Sequence, residues 1–436
     1  MNTQFPSFAE AFRVWLRIGC LSFGGPAGQI ALMHREVVDE RRWVSDTRFL
    51  HALNFCTLLP GPEAMQLATY LGWLMHGVRG GVAAGLLFIL PGALVMLGLS
   101  LIYALLGNVP VVAAVFLGLK CAVLVLVVEA LLRVAKRALS GPVAWATAGA
   151  AFLALAAFGM PFPLVVLAAG LLGFALPGQF KPAGHGKAGL VSDSLLDRFL
   201  RDNPGHIAGL TAAARRAGLI ALALWVWPVA LLAPAGGVYF DIGWFFSKMS
   251  VVTFGGAYAV LAYVAQEAVE HYRWLSAPEM LAGLGLAETT PGPLILVLQF
   301  VGFLAGYREG GGVLGGIAAS ILTLWVTFLP CFAWIFLGAP YVERLHDAAR
   351  LKGALAGVTA AVVGVIANLA LWFALRVLFA EVAPGPLGFD VPVLASIQPL
   401  SLALALLAGG CIFQWRLGVL ATLGITAAAG IFTLLL

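Results

Sequence analysis

"FGGPAGQIALMHREVVDERRWVS" (residues 23–45) returns later in the chain as "FGGAYAVLAYVAQEAVEHYRWLS" (residues 254–276). A shift of 231 aligns the two without a gap and keeps nine of 23 positions: Phe, Gly, Gly, Ala, Glu, Val, Arg, Trp and Ser. The same shift carries Leu50 onto Leu281, Leu53 onto Leu284, and Pro60-Gly61-Pro62 onto Pro291-Gly292-Pro293. The chain is therefore read as a duplication, with Gly and Pro placed inside apolar runs at matched points of each copy.

Composition sets the solvent. Of 436 residues, 61% are hydrophobic and 10% charged, where a soluble domain carries about 25% charged residues. Apolar runs recur at 81–106, 109–132, 143–176, 218–233, 312–337, 355–380 and from 402 to the end. At roughly 20 residues per crossing, about 10–13 membrane segments are expected. The predicted fold class is an all-α polytopic membrane protein, two homologous halves forming an inverted repeat with broken helices. The net charge of +5 comes from basic residues scattered over short loops, which builds no nucleic-acid surface. The five cysteines are isolated, with no CxxC spacing, so no disulfide framework and no metal site are expected. "MNTQFPSFAEAFRVWLRIG" places arginines within its apolar periodicity and has no small-residue cleavage site, so insertion through internal helices is expected. Walker A, GxSxG and HExxH patterns do not occur, which weighs against ATPase and hydrolase chemistry. No cofactor is called for.

Three regions follow: a first repeat over 1–177, a polar cytoplasmic linker over 178–217, and a second repeat over 218–436 led by an extra helix. That helix permits the second copy to insert upside down. Arg35, Arg41, Arg42 and Arg48 crowd the loop of the first copy, whereas Arg273 stands alone in its net-acidic counterpart. Cytoplasmic loops favour Arg and Lys, which puts the first loop inside, the second outside and the N-terminus in the cytoplasm. Inverted repeats place a substrate site near mid-membrane where the copies meet. A parallel duplication with an accidental charge bias is the alternative.

A backbone amide left unpaired in lipid costs several kcal/mol, so breaks at membrane depth imply a protein- or water-lined interior. Gly24, Gly25 and Pro26 suit a bend followed by a new helix, as do Gly61 with Pro62 and Gly292 with Pro293; Gly255 and Gly256 repeat the first pair. Helix N-termini present free N–H groups and partial positive charge to an anion; close packing of small residues is the bland alternative. Ser22, Thr57, Gln66, Thr253, Thr289 and Thr290 add donors, with Asn54 and Gln299 nearby. Glu63 follows its PGP, and Glu288 lies three residues before its own. These two carboxylates are either proton-coupling groups or helix caps.

Lys120 interrupts a long apolar helix, and a shift of 232 sets it on Lys352. An intramembrane lysine is a functional candidate by default; its partner is the substrate, Glu129 or another internal carboxylate. Asn368 lines a cavity or bonds a neighbouring helix. Trp43 and Trp274, with the paired Glu36 and Glu267, read as an interfacial helix end anchored by tryptophan. His34, His51, His76 and His346 have no metal-ligand spacing.

With "LLPGPEAMQLATYLGWLMHG" and "ETTPGPLILVLQFVGFLAG" added to the opening pair, the chain resembles the long-chain, two-domain members of the chromate ion transporter family over nearly its whole length. The resemblance implies an inner-membrane carrier that exports chromate from the bacterial cytoplasm and confers resistance, driven by the proton-motive force or by anion exchange. Sulfate, a tetrahedral dianion of similar size, is the natural competitor. An oxyanion, the lipid bilayer and, in an open question of assembly, a second copy forming a homodimer are the partners. One departure stands out: Ala257 replaces the Pro26 of the first copy. Spacing by itself gives an anion carrier; an uncoupled anion channel and a membrane reductase are the other classes.

Overall fold

The computed structural model describes residues 5–107, 109–180, 194–254, 257–341, 349–385 and 389–435. The first copy runs through α1 (Phe8–Leu21), α2 (Gly25–His34), α3 (Asp46–Cys56), α4 (Glu63–Leu106), α5 (Pro110–Ala138), α6 (Pro142–Ala156) and α7 (Phe162–Ala175). Two helices follow, α8 (Leu195–Asp202) and α9 (His206–Leu232). The second copy runs through α10 (Gly237–Val252), α11 (Ala257–Gln266), α12 (Ala277–Thr289), α13 (Val297–Glu309), α14 (Val313–Gly338), α15 (Ala349–Leu378), α16 (Pro399–Gly409) and α17 (Val419–Phe432). A short antiparallel pair, β1 (Val382–Pro384) with β2 (Asp390–Pro392), follows α15. The protein is an all-α polytopic membrane protein. Among the described residues five helices, α4, α5, α9, α14 and α15, are long and apolar enough to cross a bilayer, as the roughly 30 Å hydrocarbon core requires.

The copies match helix for helix. α1 answers α10, α2 answers α11 and α3 answers α12. The single α4 answers the pair α13 and α14, because α4 is two arms joined at His76 and Gly77, whose backbone leaves the helical region. Gly77 takes φ +62, a conformation that costs glycine nothing. Gly72 and Gly80 bring the arms together: a Cβ on Gly80 would stand 2.2 Å from the Gly72 carbonyl oxygen, the close backbone approach that small residues allow. α9 begins well before the apolar run at 218, so Arg215 and Arg216 ride on the same helix as the run.

Each FGG helix closes in the same way. A π-turn, Arg35–Glu40 or Glu267–His271, leads to a left-handed arginine, Arg42 (φ 53°) or Arg273 (φ 54°). The Trp43 N–H donates to Val37 O at 2.8 Å and the Trp274 N–H to Ala268 O at 2.9 Å. A third instance, Gly410–Gln414 with Arg416 (φ 52°) and Leu417 N–H on Cys411 O at 2.8 Å, divides α16 from α17. This closure corrects the expected tryptophan anchors. Trp43 and Trp274 are 3% and 2% exposed, because the turn folds each ring onto its own helix end instead of presenting it to headgroups. The Arg41 guanidinium covers the Trp43 ring.

The chain divides into two compact units that each draw on both copies: Met1–Leu97, Gly184–Gly256 and Thr290–Asp347 in one; Gly98–Ala183, Ala257–Thr289 and Ala348–Leu436 in the other. In the first, α14 packs on α9, α10 and α13. In the second, α15 packs on α5, α6 and α7, while α5 also meets α12, α16 and α17.

Candidate functional site

Within the first unit the interrupted helices of the two copies exchange partners. α1 ends at Ser22, and Gly24 (φ +85) and Gly25 (φ +71) turn the chain into α2 with Pro26 in its first turn. The Ser22 carbonyl, freed by that break, accepts from the Gly292 N–H at 2.7 Å. The Gln29 side chain, one turn into α2, donates to the Gly292 carbonyl at 2.6 Å. Thus the PGP turn of the second copy is held by both faces of its glycine peptide to the FGG break of the first.

The reciprocal arrangement is also present. α10 ends at Thr253, whose carbonyl accepts from the Gly61 N–H at 2.9 Å. Gly61 lies at φ +122 and Gly292 at φ +88, a region where L side chains are strained. A buried backbone group without a partner is costly, and each break supplies the partner for the other. The third element of each exchange is a proline-bearing helix. Pro91 lies within the second arm of α4 and Pro330 within α14. The residue after each touches the opposite PGP turn: a Cβ on Gly92 would lie 2.0 Å from Pro291 O, and one on Gly61 would lie 2.7 Å from Cys331 Sγ. The breaks predicted at Gly24, Gly61 and Gly292 are therefore present; Gly255 and Gly256 lie outside the described residues.

The expected donors are engaged locally. Ser22 Oγ donates to Ile18 O, Thr253 Oγ1 to Met249 O, Thr57 Oγ1 to Asn54 O and Thr289 Oγ1 to Leu286 O. Gln66 Nε2 donates to Pro60 O at 2.7 Å and Gln299 Nε2 to Ala93 O at 3.0 Å, both side chains being buried. Thr290 is buried beside its PGP turn. In front of Gly24 and Gly25 the space is open, with no atom within 4 Å of an added Cβ. The N-terminus of α2 is therefore open, as are those of α9, α10 and α14, where Gly205, Gly236, Gly237, Gly311 and Gly312 likewise face open space. Glu63 opens α4, half-buried, and among the described residues no hydrogen bond or ion pair engages its carboxylate.

The second unit holds the other carboxylate and the lysines. Glu288, 6% exposed near the end of α12, accepts a hydrogen bond from the Tyr258 hydroxyl at 2.6 Å. Arg133 of α5, paired with Glu129 one turn earlier, acts electrostatically on both. Glu129 is thus the partner of Arg133, and the carboxylate whose field reaches Lys120 is Glu279 at the start of α12. Lys120 lies mid-helix in α5, whereas Lys352 lies in the first turn of α15. Asn368 lines a cavity of about 400 Å³ with Gln266, Glu270, Trp372 and Asp390, with Arg376 joining Glu270 to Asp390 and covering the Trp372 ring.

Several of these partners carry no signal at the 231 shift. Pro91-Gly92 and Pro330-Cys331 correspond at 239, because the α13–α14 connection is longer than the kink of α4. Tyr258 replaces Ala27 and Glu288 replaces Thr57, so self-comparison passes over both. Gln29, a polar residue one turn beyond FGGP, was readable as a partner and was missed. His34 pairs with Asp39 and Asp46, and His76 with Pro6 O; His346 lies outside the described residues.

Comparison with known proteins agrees with this architecture. The family model described as chromate transporter matches residues 9–174 and 240–434, one block in each copy. The chromate transport protein of Pseudomonas aeruginosa is 36% identical over 365 residues, covering 83% of this chain and 79% of that protein. The chromate transport protein of Cupriavidus metallidurans is 27% identical over 83% of this chain and 81% of its own length. A probable chromate transport protein of Synechococcus elongatus is 28% identical, with 83% of each chain covered. No solved structure matches. Matched in both copies of its duplicated frame and aligned with these relatives over most of its length, the chain belongs to the chromate transporter family.

Proposed function

We propose that this protein is a secondary carrier that exports chromate, with sulfate as a competing oxyanion, across the bacterial inner membrane. Its two copies, 1–177 and 218–436 about the 178–217 linker, insert in opposite senses with the N-terminus in the cytoplasm. Coupling is to the proton-motive force or to anion exchange, and export confers resistance. Transport rather than catalysis follows from the family. The observation that carries the proposal is the reciprocal exchange of Ser22 with Gly292 and Thr253 with Gly61. Two interrupted helices that complete one another give a frame with two equivalent ways to open, which alternating access requires. The open space before Gly24 and Gly25 offers a helix N-terminus to an anion. Ser22, Thr57, Gly61, Gln66, Thr253, Gly255, Gly256, Thr289, Thr290 and Gly292 line the route in this proposal. Lys120 and Lys352 draw the dianion in, and Glu63 and Glu288 exchange protons.

Uptake of labelled chromate into everted vesicles, with and without an imposed pH gradient, tests it. Gradient-dependent uptake is expected for the wild type, with Lys120→Ala lowering it by roughly tenfold, the loss of about 1.4 kcal/mol of attraction. Uptake that ignores the gradient and survives Glu63→Gln and Glu288→Gln marks an uncoupled channel and ends the carrier proposal.

A further inference from the structure

Resting on that carrier reading, we infer that Tyr258 is a positioning residue for Glu288, and that Tyr258 with the Glu129–Arg133 pair sets the pH at which Glu288 exchanges its proton. A carboxylate buried this deeply keeps its charge only if hydrogen-bonded and compensated. The Tyr258 hydroxyl, in the first turn of α11, supplies the bond at 2.6 Å. Arg133, bonded to Glu129 four residues earlier on α5, adds a positive charge whose field reaches Glu288. Each member therefore has its own effect on Glu288. Burial disfavours the ionised form of Glu288 most strongly; the Tyr258 bond and then the Arg133 charge favour it, and the negative Glu129 opposes it.

Of the helices packed on α12, α5 carries Lys120, Glu129, Arg133, Lys136 and Arg137, α15 carries Arg350, Lys352 and Arg376 near its ends, and α17 carries no charge. On α12 itself Glu279 lies at the opposite end, where its field reaches Lys120. The device belongs to one copy alone, since Ala27 and Thr57 occupy the corresponding positions of the first. Among the described residues Glu63 has no fixed donor, so the two carboxylates are not interchangeable.

Infrared titration of the protonated carboxyl band, on the full chain reconstituted in lipid, tests the inference without need of a substrate. One buried carboxyl band is expected to vanish in Glu288→Gln. Its midpoint is expected to move to higher pH by roughly one unit in Tyr258→Phe and by less in Arg133→Gln. Chromate uptake measured with equal pH on both sides should shift in the same directions, and Tyr258→Phe should shift nothing in the Glu288→Gln background. An unmoved midpoint in Tyr258→Phe, or a shift that persists without Glu288, overturns the inference. Absence of chromate uptake by the wild type, with the band behaving as expected, removes the carrier reading and leaves this one intact.

Discussion

Substituting Gly92 by alanine tests the exchange of turns at its tightest point. The new methyl carbon would stand 2.0 Å from Pro291 O, and ordinary contact begins near 3.4 Å. The obstacle is backbone, so no rotamer change relieves it; the PGP turn must retreat by about 1.4 Å. Gly292 makes two short bonds to the first copy, its N–H to Ser22 O at 2.7 Å and its carbonyl to Gln29 Nε2 at 2.6 Å. A retreat of that size carries both beyond hydrogen-bonding distance. Leaving buried partners unsatisfied costs about 1–3 kcal/mol apiece, so a total of about 3 kcal/mol is a modest expectation. At 2–4 °C per kcal/mol for a unit of this size, Tm should fall by roughly 6–12 °C. The assay is thermal unfolding of the detergent-purified chain, followed by size-exclusion chromatography, beside chromate uptake. Cys331→Ala, at the corresponding point of the other copy, is the control: it withdraws the sulfur from the Gly61 contact, keeps the helix backbone and should shift Tm by far less. A Gly92→Ala protein that melts with the wild type and transports at its rate would show that the close approach is not a constraint.

Two further outcomes are expected. The linker helix α8 is held to the first copy by Leu195 N–H on Arg42 O, Leu196 N–H on Trp43 O and the Arg48–Asp197 ion pair at 2.7 Å. Burial pushes the Asp197 carboxyl up, but bonds from Ser194, Ser45 and Arg48 outweigh it and hold the group below its ordinary 3.8. The docking energy it supplies is therefore complete above that value and lost as pH falls through the depressed one; amide exchange in α8 should rise over that acid range, and Asp197→Asn should remove the pH dependence. Cysteines placed at Glu40 and His271, exposed equivalents in the two copies, should react with an impermeant thiol reagent from opposite sides of the membrane. Labelling from one side only would establish a parallel duplication.

Much of the frame was legible because it is written in short-range chemistry. A glycine with positive φ leaves its mark as glycine: Gly24, Gly25, Gly61 and Gly292 all turn the backbone where the repeat placed them. Apolar runs located α5, α9, α14 and α15 for the same reason, since a lipid-exposed span must satisfy its backbone within one continuous helix of about that length. What a broken helix pairs with is a different kind of information. Ser22 and Gly292 lie 270 positions apart by their numbers, and nothing local to either specifies the other. The tryptophans show the opposite failure. Arg-Trp at a helix end reads as an interfacial anchor by composition, yet the left-handed Arg42 and Arg273 reverse the chain and bury the rings.

The duplication explains why the breaks survive, and the departures from it mark where the copies differ. A chain break at membrane depth needs a partner for its freed groups, and a second copy of the same break supplies one. Symmetry alone, however, gives a frame with no preferred direction. In each exchange one contact is altered: Gly92 lets backbone touch backbone, whereas Cys331 interposes a side chain against Gly61. Each copy carries a carboxylate beside its PGP turn, Glu63 after the turn and Glu288 before, and of these two, among the described residues, Glu288 is the one with a hydroxyl fixed upon it. A carrier that moves its cargo by exchanging equivalent halves acquires direction only where those halves are unequal. The unequal positions, Gly92 against Cys331 and Ala27 against Tyr258, are therefore where substitution should alter coupling before it alters the fold. Copying one half's residue into the other, Tyr258→Ala or Cys331→Gly, should change the response of uptake to an imposed gradient in protein that still folds, with Tm lowered by several degrees. A loss of fold in both would mean that these differences serve packing alone.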